Sequence, residues 1–217
     1  MTNNYYRLGI VVLSVIFLGA CSLTQRHLKE ENKIGTNREN FLILVNKQHG
    51  LPKDYVPTDL IPFQSNSKGS VLMRSDAAKA LEHLFLESQK ESIYFIAISG
   101  YRSYTEQEGV YNRSIFLNGR EHTKKYVAVP GFSEHQTGLA IDVSRRDQKG
   151  LKASFDKTKE GKWLAKNACR FGFILRYPKG KEKITGYEFE PWHIRYVGEK
   201  NAREITRKKI TLEEYLK

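Results

Sequence analysis

The chain has 217 residues and carries 36 Lys and Arg against 24 Asp and Glu, a net charge of +12. That length admits one domain of ordinary size, and the sequence contains no internal repeat and no low-complexity tract. Its two cysteines exclude a disulfide framework once the role of the first is taken into account.

A secretory signal opens the chain. Arg7 precedes an apolar run from Leu8 to Ala20, too short for a comfortable membrane span of about 20 residues. The run ends in Leu18-Gly19-Ala20-Cys21, which resembles the lipobox of a bacterial lipoprotein, where small residues precede a cysteine that is acylated and becomes the new N-terminus. A short uncleaved anchor is the alternative, and both readings put the remainder outside the cytoplasmic membrane. Residues 1–21 are thus expected to be the signal, with Cys21 lipidated. Residues 22–38, polar and without sustained periodicity, form a tether, and residues 39–217 form the domain.

Only Arg7 among the charged residues lies in the first 21 positions, leaving 35 basic against 24 acidic residues, or +11, in the exported part. Export argues against nucleic acid as the counter-charge. Anionic lipid headgroups and acidic cell-wall polymers are the expected partners of such a surface. Cys169 is then the one thiol left. It falls in a helical stretch from Trp163 to Phe171 that Gly172 would cap, and it reads as a small buried hydrophobe.

Along the domain, Phe41-Leu42-Ile43-Leu44-Val45 predicts a strand, and the segment from Pro52 to Gly69, with Pro57 and Pro62, an irregular extended loop. Ser75 has the character of an N-cap. It precedes a helix whose apolar positions Ala77, Ala78, Leu81, Leu84 and Phe85 recur at three and four residues, with His83 off that stripe. Ile93 to Ile98 reads as a buried strand. It delivers the chain to Ser99-Gly100-Tyr101-Arg102-Ser103, where Ser103 and Glu106 have capping-box spacing for a helix running to Asn118 and stopping at Gly119. Arg102, at a strand end beside a helix N-terminus, suits a substrate anion. Residues 120–125, including His122, read as a basic loop.

The informative stretch is Ser133-Glu134-His135-Gln136-Thr137-Gly138-Leu139-Ala140-Ile141-Asp142. From Leu139 apolar and polar residues alternate, which predicts a strand carrying Asp142 on the face opposite Leu139, Ile141 and Val143, with His135 just before it and Gly138 allowing the bend. A charged loop from Arg145 to Gly161, a strand from Phe173 to Tyr177 and a Lys- and Gly-rich turn to Tyr187 follow. Glu190-Pro191-Trp192-His193 then leads into a second alternating strand, with Pro191 at its start and Glu190 just outside. Thr211 and Glu214 form another capping box for a short last helix.

A hydrolytic zinc site needs three protein ligands, an open position for water, and a base that is not itself a ligand. His135, Asp142 and His193 can be those ligands and Glu190 the base. The same segments resemble the zinc D-Ala-D-Ala carboxypeptidases of the VanY type, including the related L,D-carboxypeptidases of peptidoglycan. Those enzymes carry S-x-H-x-x-G-x-A-x-D and a later E-P-W-H, and here Ser133, His135, Gly138, Ala140, Asp142 and Glu190 to His193 fill every fixed position. The Ser-Gly-Tyr-Arg-Ser segment with a following Gln, and an earlier Asn-Lys and Leu-Pro, extend the resemblance over most of the domain.

The resemblance implies an α+β fold, a small mostly antiparallel sheet with helices packed on it, shared with the hedgehog signalling domain. It implies one Zn2+ per chain and removal of the C-terminal D-alanine from peptidoglycan stem peptides. It also implies a substrate pocket lined by Arg102 and Gln107, with Arg102 gripping the terminal carboxylate or stabilising the oxyanion. Ser133 would help hold that carboxylate or would only cap its turn. A monomer is expected. The rivals are a non-haem iron site, a zinc-containing wall-binding module without turnover, and a D-Ala-D-Ala dipeptidase or endopeptidase of the same superfamily. Pentapeptide and tetrapeptide substrates both stay open.

Overall fold

In the computed structural model, residues 41–64, 69–147 and 150–217 are described. The expected signal with Cys21 and the expected tether lie outside the described residues.

Two sheets organise the domain. β1 (Leu60–Gln64) and β2 (Ser70–Arg74) pair antiparallel as a two-stranded ribbon. The second sheet has four antiparallel strands, β3 (Phe95–Ser99), β4 (Ala140–Arg145), β5 (Phe173–Leu175) and β6 (His193–Tyr196), in the order β3-β4-β6-β5. The central strands are β4 and β6, so what they carry is buried from both sides.

Helix α1 (Ser75–Lys90) lays Ala77, Ala78, Leu81, Leu84 and Phe85 into the main core, and His83 is exposed as expected. Each of these larger side chains contributes roughly 1.5–3 kcal/mol by leaving water. Their neighbours come from the sheet: Phe85 lies 5.4 Å from Phe63 and 5.6 Å from Phe95, and Phe95 lies 5.9 Å from Trp163 (ring centroids). Trp163 belongs to α3 (Lys159–Asn167), which follows the long helix α2 (Tyr104–Tyr126) in the chain. A short helix α4 (Glu182–Thr185) precedes β6. Helices α5 (Glu199–Lys208) and α6 (Leu212–Tyr215) complete the fold, where Ala202, Ile205 and Leu212 join Ile174 and Val197 in a second, smaller cluster.

Several local expectations change. Residues 41–45 form no strand, because the carbonyls of Phe41 and Ile43 accept hydrogen bonds from the Arg195 guanidinium instead of a sheet neighbour. The loop from Pro52 to Gly69 contains β1, and Pro62 is tolerated there in a two-stranded ribbon where half of its backbone faces no partner. Ser75 is the first helical residue rather than the cap, which is Arg74. Gly119, at φ +78°, breaks α2 but does not end it, and residues 120–126 are again helical. Thr123 holds the join by bonding Ser114 Oγ and the Gly119 carbonyl. The charged loop after Arg145 contains a 3-10 turn that buries Phe155 completely. Cys169 is half-buried against the second cluster, and α5 has no counterpart in the expectations above.

Candidate active site

The site is assembled by strand register. β4 and β6 are hydrogen-bonded neighbours in which Asp142 stands directly opposite His193. Side chains of facing residues project to the same side of a sheet, so this pairing alone brings carboxylate and imidazole together. Asp142 Oδ1 lies 3.1 Å from His193 Nδ1. His135 arrives from the 3-10 turn Glu134–Thr137, which Gly138 closes at φ +68°. The positive φ is what favours the motif glycine, and a Cβ there would also crowd Leu60 Cδ2 at 2.8 Å. The turn sets His135 Nε2 3.3 Å from Asp142 Oδ2 and the two imidazole rings at right angles, 5.0 Å apart.

One potential ligand atom from each of His135, Asp142 and His193 lies within 4.8 Å of the others, and all three residues are buried. Ligand atoms around a tetrahedral zinc with 2.0–2.1 Å bonds stand about 3.3 Å apart. The two contacts of Asp142, 3.1 Å through Oδ1 and 3.3 Å through Oδ2, are each close to that spacing. The outer nitrogen of His135 supports the same reading: Nδ1 lies 2.7 Å from the Gly100 carbonyl, so Nδ1 carries the proton and Nε2 offers its lone pair inward.

Electrostatics follow from burial and crowding. For Asp142 burial favours the neutral acid, but the two imidazoles outweigh it and hold the carboxyl well below the usual range. His193 responds in the opposite sense: burial favours the neutral ring, yet its hydrogen bond to Asp142 and the carboxylate of Glu134 push it up to about 9. Burial lowers His135 despite Asp142. A cluster of this kind binds protons where it could bind a dication, and metal uptake displaces them. Glu190, 4.0 Å from His193 Nδ1, is pushed up to about 8 chiefly by burial, with Asp142 adding and His193 opposing. A dication beside it would draw that value back down.

The pocket over this cluster has a volume of about 230 Å3 and is lined by Arg102, Gln107, Ser133 and Glu190 together with Tyr126, Leu151, Tyr177 and Trp192. All seven residues nominated from the sequence as catalytic, binding or ligating line this one cavity. Arg102 sits between β3 and α2. Its backbone N–H donates to the His135 carbonyl, its Nη1 to Gln107 Oε1 at 2.6 Å and its Nη2 to Ser99 Oγ at 2.6 Å. Gln107 in turn donates to the Ala128 carbonyl, so both ends of its amide are engaged and it orients the guanidinium. The helix N-terminus itself offers less to an anion than expected, because the capping box of Ser103 and Glu106 already occupies the Glu106 and Ser103 N–H groups. Ser133 is buried and makes no capping bond with the turn it precedes.

Four residues with no role in the sequence reading belong to the surroundings. Tyr177 packs on His193 at 4.9 Å. Glu134 and Arg176 form a fully buried ion pair at 2.7 Å, and Arg195 meets the same Glu134 oxygen at 2.6 Å. Glu134 occupies an unspecified position of the motif, and its partners lie far along the chain, so spacing alone gives no sign of them.

Fold and site together define the class: a peptidase-like α+β domain with a buried His–Asp–His group suited to a metal and a carboxyl group beside it. Residues 70–199 match the family model described as VanY, D-alanyl-D-alanine carboxypeptidase, and the chain belongs to this family. It is 48% identical over 185 residues to the putative carboxypeptidase YodJ of Bacillus subtilis (strain 168), covering 82% of this chain and 68% of that one. The solved LdcB LD-carboxypeptidase is 46% identical with a TM-score of 0.76, over 82% of this chain and 86% of LdcB. A mutant of the vancomycin-resistance D,D-pentapeptidase VanY, solved in complex with Zn(II), is 34% identical with a TM-score of 0.71, over 82% of this chain and all of that one.

Proposed function

We propose that the protein is a zinc carboxypeptidase that removes the C-terminal D-alanine from peptidoglycan stem peptides. The observation that carries this reading is the meeting of His135, Asp142 and His193 in one buried group with Glu190 4.0 Å from His193. His135 through Nε2, Asp142 through a carboxylate oxygen and His193 through Nδ1 would hold one zinc ion. An ion held there would supply a Lewis acid for acidifying water and polarising the scissile carbonyl. Glu190 takes the proton from water and returns it to the leaving amine. Arg102, braced by Gln107 and Ser99, holds the terminal carboxylate or the developing oxyanion, and Ser133 lines the same pocket.

Export and anchoring belong to the same proposal. The signal ending at Cys21 would lipidate the chain at the outer face of the cytoplasmic membrane, and the 22–38 tether would let a monomeric domain of +11 charge reach the wall.

The test is incubation of the purified protein with a pentapeptide ending in D-Ala-D-Ala and with the tetrapeptide, followed by mass spectrometry of the products. Free alanine is expected from at least one. Release of D-Ala-D-Ala, or cleavage inside the stem, would replace the carboxypeptidase with a dipeptidase or endopeptidase. Glu190→Gln should lower turnover about 10²- to 10⁴-fold with zinc content unchanged. Absence of turnover in the native protein, with zinc bound, would favour a wall-binding module.

A further inference from the structure

We propose that Glu134 is the positioning residue for His193: its Oε2 accepts the Nε2 proton of His193 and so fixes the tautomer that turns Nδ1 towards Asp142 and the metal. This rests on the zinc reading above. His193 has two ring nitrogens with different surroundings. Nδ1 faces Asp142 Oδ1 at 3.1 Å. Nε2 is buried and makes no hydrogen bond, and the carboxylate oxygen it faces, Glu134 Oε2 at 3.6 Å, is also buried and makes none. A buried donor and a buried acceptor thus confront each other just beyond bonding reach, and leaving both unmade is unfavourable. A movement of a few tenths of an ångström, such as seating Nδ1 on a ligand, would close them into one hydrogen bond.

The carboxylate is divided to suit this use. Its other oxygen, Oε1, accepts from Arg176 Nε at 2.7 Å and from Arg195 Nη1 at 2.6 Å. Both guanidiniums are fully buried. They keep Glu134 ionised and prevent it from turning away, which leaves Oε2 aimed at the imidazole. Arg176 is itself anchored from behind by both oxygens of Glu213, at 2.9 and 2.6 Å. The other ligand-bearing imidazole is oriented by different means, since His135 uses the Gly100 carbonyl. The consequence for His193 is specific: an anion behind the ring makes the inward nitrogen more basic and a stronger ligand. A purely structural Glu134, present only to neutralise two arginines, would need no orientation of Oε2 towards the ring.

The experiment compares wild-type protein, Glu134→Gln and Glu213→Gln by zinc competition against a fluorescent chelator, with imidazole ¹⁵N NMR of the unmutated zinc-loaded protein. Glu213→Gln disturbs the same buried network through Arg176 without touching His193. We expect Glu134→Gln to weaken zinc binding about 10- to 100-fold. Glu213→Gln should lower the thermal midpoint while holding zinc affinity within about twofold of wild type. The NMR spectrum should show His193 protonated at Nε2. Equal zinc affinity in wild type and Glu134→Gln, or equal weakening by the two variants, would overturn the proposal. So would a His193 proton on Nδ1, and that measurement needs no variant to fold. A wild-type protein that takes up no zinc would sink the metal reading itself, a result separate from these.

Discussion

Replacing Arg102 with lysine keeps the charge and loses the fork. The guanidinium reaches Gln107 Oε1 and Ser99 Oγ through different nitrogens, which fixes its plane, and an ammonium cannot hold both. Charge-assisted hydrogen bonds of this kind are worth about 1.5–3 kcal/mol, so Arg102→Lys should lower kcat/KM roughly 10- to 100-fold in steady-state kinetics. A loss carried by KM assigns Arg102 to the terminal carboxylate, and a loss carried by kcat assigns it to the oxyanion. At this scale the sequence was generous with His135, Asp142, Glu190 and His193, because ligand chemistry restricts the residue types and the motifs fix their spacing. It was silent on Glu134, Arg176 and Arg195, since an ion pair between distant positions leaves no period or spacing to read. Gln107 shows a third case: its place beside the pocket was legible, but its two engaged amide ends make it a brace for Arg102.

Among the elements, α2 owes its start to the capping box, in which Glu106 Oε2 accepts from Ser103 N and Ser103 Oγ accepts from Glu106 N. The Ser103 hydroxyl, which donates to Glu106 Oε2 at 2.7 Å, and the Ser103 N–H together hold the Glu106 carboxyl below the ordinary value of 4.5. A depressed carboxyl contributes stability above its unfolded value and loses it as pH falls. The stability difference between wild type and Glu106→Ala should therefore be largest near neutrality and shrink as pH drops below about 4.5, measured by urea unfolding across pH. Ser103→Ala should cost about 1 kcal/mol at neutral pH in the same assay. In α1, Leu81 is fully buried in the main core, and Leu81→Ala should destabilise the domain by roughly 2–5 kcal/mol without altering which residues line the pocket. Periodicity revealed α1, β4 and β6 because each has one dominant apolar face. It failed for β1, where Pro62 disguised an edge strand, and for residues 120–126, where Gly119 interrupts the helix and Thr123 resumes it.

On the scale of the whole molecule, no helix among the described residues is long and apolar enough to cross a membrane. Retention at a membrane would then fall to Cys21 under the proposed anchoring. Cys21→Ser should move the protein from the membrane fraction to the medium, as followed by fractionation and immunoblotting. The +11 charge of the chain after Cys21 predicts, under the same proposal, a second, weaker hold on acidic wall polymers that salt releases, in contrast to a lipid.

Arg195 gives the first residues of the domain an unexpected weight. The guanidinium that braces Glu134 also binds the carbonyls of Phe41 and Ile43, so the point where any leash would enter the domain shares a fastening with the floor of the pocket. Trimming the chain to begin at residue 46 would remove two of the acceptors that hold this fully buried cation. Shortening at the front, normally the safest cut in a domain, would here loosen the machinery from behind.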